Sequence, residues 1–148
     1  MIPDQIEREI VIAAPPERVW AAITEAKHLG AWFADSGAEV DLRPGGAMIL
    51  RWRDHGESRA AIERVEPGRY LSWRWSDAQG ADPREGHATL VEFTLTPEAD
   101  GTRVRVVESG ILALAKSEER KAAHARENGQ GWTEELAELR GYLERRAA

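Results

Sequence analysis

Cysteine is absent from the sequence. That excludes disulfides, thiol nucleophiles and thiolate metal sites. Positive charge is in deficit: 20 basic residues against 26 acidic ones give a formal net charge of -6. A nucleic-acid binder ordinarily carries a basic excess, so that class is not expected. Long apolar runs are also missing, and none approaches the ~20 residues of a membrane-spanning helix. The opening "MIPDQIEREI" places Asp4, Glu7 and Glu9 where a signal peptide needs an apolar stretch. A soluble cytoplasmic protein is the expectation. Phe and Tyr are scarce, at two each, whereas Trp numbers six. A buried Trp needs a partner for its indole N–H, which a buried Phe does not. Repeated use of Trp therefore suits a pocket wall that is part polar or part wet better than a purely apolar core.

The 148 residues suit one domain spanning 1–148, long enough to bury a sizeable core. "QIEREIVIAA" reads as a first strand with Ile6, Ile10 and Ile12 on one face and Arg8 interrupting the row. Pro15 and Pro16 fit a helix start, followed by Val19, Trp20 and Ile23 on one helical side. "AKHLGAWF" reads as a second short helix with Leu29, Trp32 and Phe33 as its apolar face. From Ser36 to Ser109 strand follows strand. "GAEVDL" ends at the turn "RPGG", and "AMILRWR" puts Met48, Leu50 and Trp52 together. "ESRAAIERV" holds Ile62 and Val65 out of phase by one, which predicts a bulge. "RYLSWRW" sets Leu71, Trp73 and Trp75 on one face and Arg74 on the other. "HATLVEFTLT" aligns Thr89, Val91, Phe93 and Leu95, and "TRVRVVESG" aligns Val104, Val106 and Glu108. The short turns imply an antiparallel meander with one apolar face. The cover for that face is "NGQGWTEELAELRGYLERR", where Trp132, Leu136, Leu139 and Leu143 recur at helical spacing. Before it, Ser117 reads as the N-cap of a separate short surface helix. The whole is an α+β arrangement: a curved seven-stranded antiparallel sheet around a long C-terminal helix, with two short helices between strands one and two.

Chemistry-bearing motifs are few. His28, His55, His87 and His124 are scattered without ligand spacing, so neither a metal nor a cofactor is expected. There is no G-x-S-x-G elbow, and "RPGG" reads as a hairpin turn rather than a phosphate loop. No catalytic residue is assigned. Glu108 is the one acid on the apolar face. It is either a polar handle or acid/base group, or a strand-end residue in reach of water beside Ser109 and Gly110. Arg51, Arg53, Arg74, Arg103 and Arg105 fall on the outward face with Glu92, as cross-strand pairs or as a docking patch for an acidic partner. The alternation alone leaves open whether the Trp face fills a solid core or lines a hollow one.

The ordered segments "IVIAAPPERVWAAITE", "LGAWF", "LRPGG", "ERVEPGRYLSWRW", "VEFTLTPEADGTRVRVVESGI" and "NGQGWTEELAELRGYL" resemble one family. It comprises the bacterial homologues of the C-terminal domain of the Hsp90 ATPase activator, within the START-like, Bet v 1-like (SRPBCC) helix-grip superfamily. The resemblance covers almost the whole chain and implies a cavity between sheet and helix that holds a small hydrophobic or aromatic ligand. Mapped here, it implies a lining of Met48, Leu50, Trp52, Leu71, Trp73, Trp75, Val91, Phe93, Val104 and Val106, with Glu108 as the acid. Trp132, Leu136 and Leu139 close it from the helix, and Trp32 and Phe33 lie near one end. In the eukaryotic activator the stimulating contacts are attributed largely to an N-terminal domain, and no counterpart is expected in these residues. Non-catalytic ligand binding is therefore the expected function. An Hsp90 co-chaperone-like interaction module is the alternative, and a polyketide cyclase or aromatase the third. An exposed edge strand leaves a homodimer open.

Overall fold

The computed structural model describes residues 2–54 and 56–146. The seven predicted strands are present: β1 (Gln5–Ile12), β2 (Ala38–Val40), β3 (Ala47–Trp52), β4 (Gly56–Glu66), β5 (Tyr70–Ser76), β6 (Ala88–Glu98) and β7 (Gly101–Ser109). They form one antiparallel sheet in the order β1-β7-β6-β5-β4-β3-β2. The two short helices α1 (Pro16–Thr24) and α2 (Ala26–Trp32) carry the chain from β1 at one edge to β2 at the other. A single 3-10 turn, Ile111–Ala113, leads into α3 (Glu118–Arg146). This is the helix-grip α+β fold.

Local chemistry explains the turns and irregularities. The β4 register shifts between Ile62 and Arg64, so Glu63 is the extra residue that the out-of-phase Ile62 and Val65 required. Beyond the bulge Val65 pairs with Leu71, and before it Ile62 pairs with Trp73. Gly68, in the β4–β5 turn, has φ +77°, a conformation that L side chains rarely adopt. The start of β7 is tight in another way. A Cβ on Gly101 would stand 2.1 Å from the Ile12 carbonyl oxygen, because Thr102 is paired with Ile12 there. Gly101→Ala is therefore expected to cost about 1–3 kcal/mol through overpacking of backbone that cannot swing aside. A urea titration would show it as a lower midpoint at unchanged slope.

The C-terminal part differs from expectation. The separate surface helix after Ser117 and the long helix from Asn128 are one continuous helix of 29 residues. The Ser117 Oγ accepts the Arg120 N–H at 3.2 Å, capping it as anticipated. Gly129 and Gly131 do not break it. At Gly129 a Cβ would meet the end of the Arg8 guanidinium at 2.7 Å and the Ile6 side chain at 3.6 Å, so this turn of α3 lies directly against β1. Arg8, the interruption in the β1 row, donates through Nε to the Thr133 hydroxyl at 2.9 Å.

The core lies between the inner sheet face, α1, α2 and α3. Ile12, Val19, Ile23, Leu29, Met48, Leu50, Ile62, Leu71, Trp73, Val91, Phe93, Val104, Val106, Leu136, Leu139 and Leu143 are all buried in one cluster. Outside, the arginines are matched by acids on the same strand or its neighbour. Arg74 pairs with Glu63 at 2.8 Å, Arg105 with Glu7 at 2.5 Å, and Arg103 with Glu9 and Glu98. Arg51 pairs with Glu39 and Glu57. Among the described residues no helix is long and apolar enough to cross a membrane.

Candidate functional site

The sheet face divides into a filled part and a hollow part. Met48, Leu50, Leu71, Trp73, Val91, Phe93, Val104 and Val106, all expected to line a central cavity, sit in the closed core with Leu136 and Leu139. Leu136, Leu139 and Leu143 of α3, with Val19 and Ile23 of α1 and Leu29 of α2, belong to the same buried cluster. Trp73 is 1% exposed and stacks on Phe93 at 5.4 Å between centroids. Its indole N–H is the one buried side-chain polar atom without a partner among the described residues.

The hollow part is displaced toward the end of the sheet where β3, β5 and β7 terminate. A cavity of about 630 Å³ opens there between the C-terminal end of α2, the ends of β3 and β5, and the middle of α3. Trp32, Phe33, Trp52, Trp75 and Trp132, all predicted site residues, line it. A smaller hollow of about 310 Å³ shares Trp52, Trp75 and Asn128 as walls and adds His124.

The rings form one connected cluster. Phe33 stacks on Trp32 at 5.0 Å and on Trp132 at 5.8 Å, and meets Trp52 edge-on at 5.3 Å. Trp75 stacks on Trp132 at 5.6 Å. The β5 tryptophans therefore differ: Trp73 is sealed in the core, while Trp75 touches the helix and also borders the cavity. Each lining indole has a polar partner, as the argument from indole N–H groups required. Trp32 Nε1 donates to the Ala22 carbonyl at 2.8 Å, and Trp52 Nε1 to the Phe33 carbonyl at 2.7 Å.

The other two indoles converge on Glu108, which is 0% exposed. The reading of Glu108 as a water-exposed strand end is thus wrong. It is buried and held by donors that α3, β5 and β6 supply. Trp132 Nε1 donates to Oε1 at 2.9 Å, and the Thr89 hydroxyl to Oε2 at 2.6 Å. Trp75 Nε1 is shared between Thr89 Oγ1 at 3.1 Å and Glu108 Oε2 at 3.4 Å. Asn128 Nδ2 reaches both carboxylate oxygens, at 2.9 and 3.1 Å. His124 Nε2 lies 3.0 Å from Oε2. An ionised carboxylate only accepts, so that nitrogen carries the proton. Burial by itself would push the Glu108 carboxyl upward. The hydrogen bonds from His124, Thr89 and Asn128, with the charge of the His124 ring, outweigh it and hold the carboxyl at about 2.

Besides the aromatic residues, Ala31, Asn128 and Gly131, the lining holds six acids: Asp35, Asp54, Glu127, Glu134, Glu135 and Glu138. Burial, then the neighbouring Glu138, Glu134 and Asp35, push the Glu135 carboxyl up to about 8. Among the described residues, no group of three or more His, Asp or Glu could hold a metal ion. His55 lies outside the described residues. His28 faces the Tyr142 hydroxyl at 2.6 Å and His87 lies beside Asp77, both away from the cavity lining.

His124, Asn128 and the α3 acids escaped the sequence reading. The available signal was the helical spacing of His124, Asn128, Gly131, Glu135 and Glu138, visible only once 118–146 is taken as one helix.

Fold and site together define a helix-grip domain whose long helix closes an aromatic cavity at one end of the sheet. Residues 13–144 match the sequence model of the Activator of Hsp90 ATPase homolog 1-like proteins, and the chain belongs to that family. A comparison with curated proteins found no match. Among solved structures, the chain is similar to protein MLL2253 from Mesorhizobium loti, with 24% identity and a TM-score of 0.79. That alignment covers 95% of this chain and 97% of the other. It is similar to the Aha1 dimer from Colwellia psychrerythraea, with 21% identity, a TM-score of 0.72, and 94% and 95% covered. It is also similar to DynU16, a protein of the dynemicin biosynthetic locus, with 23% identity and a TM-score of 0.75. There 96% of this chain is covered, but it spans only 48% of DynU16.

Proposed function

We propose that this domain binds a small organic molecule with an apolar, aromatic body and catalyses no reaction on it. The observation that carries this reading is the cavity of about 630 Å³ walled by Trp32, Phe33, Trp52, Trp75 and Trp132. Small-molecule sites typically have volumes of ~300–1,000 Å³ and combine apolar walls with a few placed polar groups. Glu108 acts here as the anchor of the wall. It fixes the orientation of Trp75 and Trp132 through their indole N–H groups and need not touch the ligand. The likeness to a protein of a biosynthetic locus is compatible with a small-molecule partner.

The reading as an interaction module for an acidic partner is less well supported, because Arg51, Arg74, Arg103 and Arg105 are already paired with carboxylates. The solved Aha1 dimer supports testing this chain for self-association by light scattering.

Native mass spectrometry with a panel of aromatic and aliphatic compounds tests the proposal. One-to-one adducts, with quenching or a shift of tryptophan emission, are expected. No adduct and no change in emission across the panel would overturn it.

A further inference from the structure

The acids of the cavity are arranged differently from those elsewhere on the molecule. Along the sheet, carboxylates are neutralised by arginines on the same or the next strand. Around the cavity, Asp35, Asp54, Glu127, Glu134, Glu135 and Glu138 have no lysine or arginine beside them in the lining. Among the described residues none of the six forms an ion pair with a Lys or Arg, whereas acids outside the cavity account for the ion pairs with Lys and Arg. They face the same space as four indoles and Phe33. Crowded like charges raise the energy of the empty site; Glu135 is displaced upward first by burial, and Glu138, Glu134 and Asp35 add to it. A neutral apolar ligand would leave the repulsion in place, and an anion would add to it.

A cation relieves it, and the walls suit one kind of cation. The faces of Trp rings attract ammonium groups through the ring quadrupole, most strongly where water is displaced. The acids are spread around an aromatic enclosure and do not converge as a ligand set for a metal ion. Resting on the ligand-binding reading above, we propose that the cavity takes an organic cation: an amine or quaternary ammonium on an aromatic or apolar body. The apolar body lies against Trp52, Trp75 and Trp132, and the charged group lies toward the acids of α3 and the α2–β2 loop.

Phenylbutylamine, phenylbutanol and phenylbutyrate share a body and differ in charge. At neutral pH, calorimetric titration of the full chain is expected to give an amine affinity at least about tenfold above that of the alcohol, and no detectable binding of the acid. Raising salt from about 50 to about 500 mM is expected to weaken the amine and leave the alcohol unchanged. In the variant carrying E134Q, E135Q and E138Q, with its fold checked by circular dichroism, the amine affinity falls to that of the alcohol. Equal binding of amine and alcohol by the wild type would overturn the cation proposal and leave the cavity reading standing. An amine preference that survives the triple substitution would also overturn it. Binding of none of the three would overturn both.

Discussion

Glu108→Gln is expected to destabilise the domain by about 2–4 kcal/mol, the cost of stranding buried donors. The reason is the geometry at its two oxygens. Thr89, Trp75, His124, Asn128 and Trp132 all direct hydrogens at a carboxylate that is fully buried. Gln keeps the shape but turns one acceptor into an N–H donor that faces other donors. Whichever way the amide is turned, Trp132 on one side or Thr89 and His124 on the other loses its acceptor. At roughly 2–4 °C per kcal/mol for a chain of this size, melting should fall by about 4–16 °C. The pH dependence should change with it. The folded carboxyl titrates near 2 and the ordinary value is 4.5. Its stabilisation is therefore complete above 4.5 and is lost as pH falls from 4.5 toward 2, amounting to about 3 kcal/mol. Urea titrations at a series of pH values should show that acid limb in the wild type and not in E108Q. An unchanged melting temperature in E108Q would mean that Glu108 is not the anchor described.

Gly131→Phe is expected to abolish ligand binding while leaving the fold intact. Gly131 lines the cavity from the middle of α3, and a Cβ placed there meets no heavy atom within 4 Å. A large side chain at that position projects into the open space without displacing the core. Replacing a helical glycine also contributes up to ~1 kcal/mol from helix propensity alone. Gly131→Ala is the control: it should gain that stability and retain most of the binding. Binding by G131F at wild-type affinity, measured by calorimetry on a ligand from the panel, would place the ligand elsewhere.

The sheet was legible because its signals are local. Period-two alternation in "RYLSWRW" and "HATLVEFTLT", the turn glycines and the phase slip between Ile62 and Val65 each depend on a few neighbouring residues. The course of α3 was not legible as one piece, because the charged segment after Ser117 lacks the apolar spacing that marks the helix from Asn128 onward. Gly129 packs against Arg8, a residue more than a hundred positions away, and Gly131 faces empty space. Neither circumstance is visible in a helical propensity. With the helix divided, His124 fell on a supposed surface segment and Asn128 at the start of the next helix, and the ring of donors around Glu108 could not be assembled. The aromatic end of the cavity was legible from the Trp excess and the demands of the indole N–H. Its limits were not. Whether Trp73 meets a side chain or a void depends on how far Leu136, Leu139 and Leu143 reach across from α3.

The most direct test follows the six indole N–H signals by nitrogen–proton NMR during titration with a bound aromatic compound. A ligand in the cavity should shift the signals of Trp32, Trp52, Trp75 and Trp132 strongly. Trp73, sealed behind Trp75, should move little, and Trp20 on α1 should stay in place. Saturating ligand that moves Trp20 or Trp73 while leaving Trp52, Trp75 and Trp132 unshifted would contradict the location of the site.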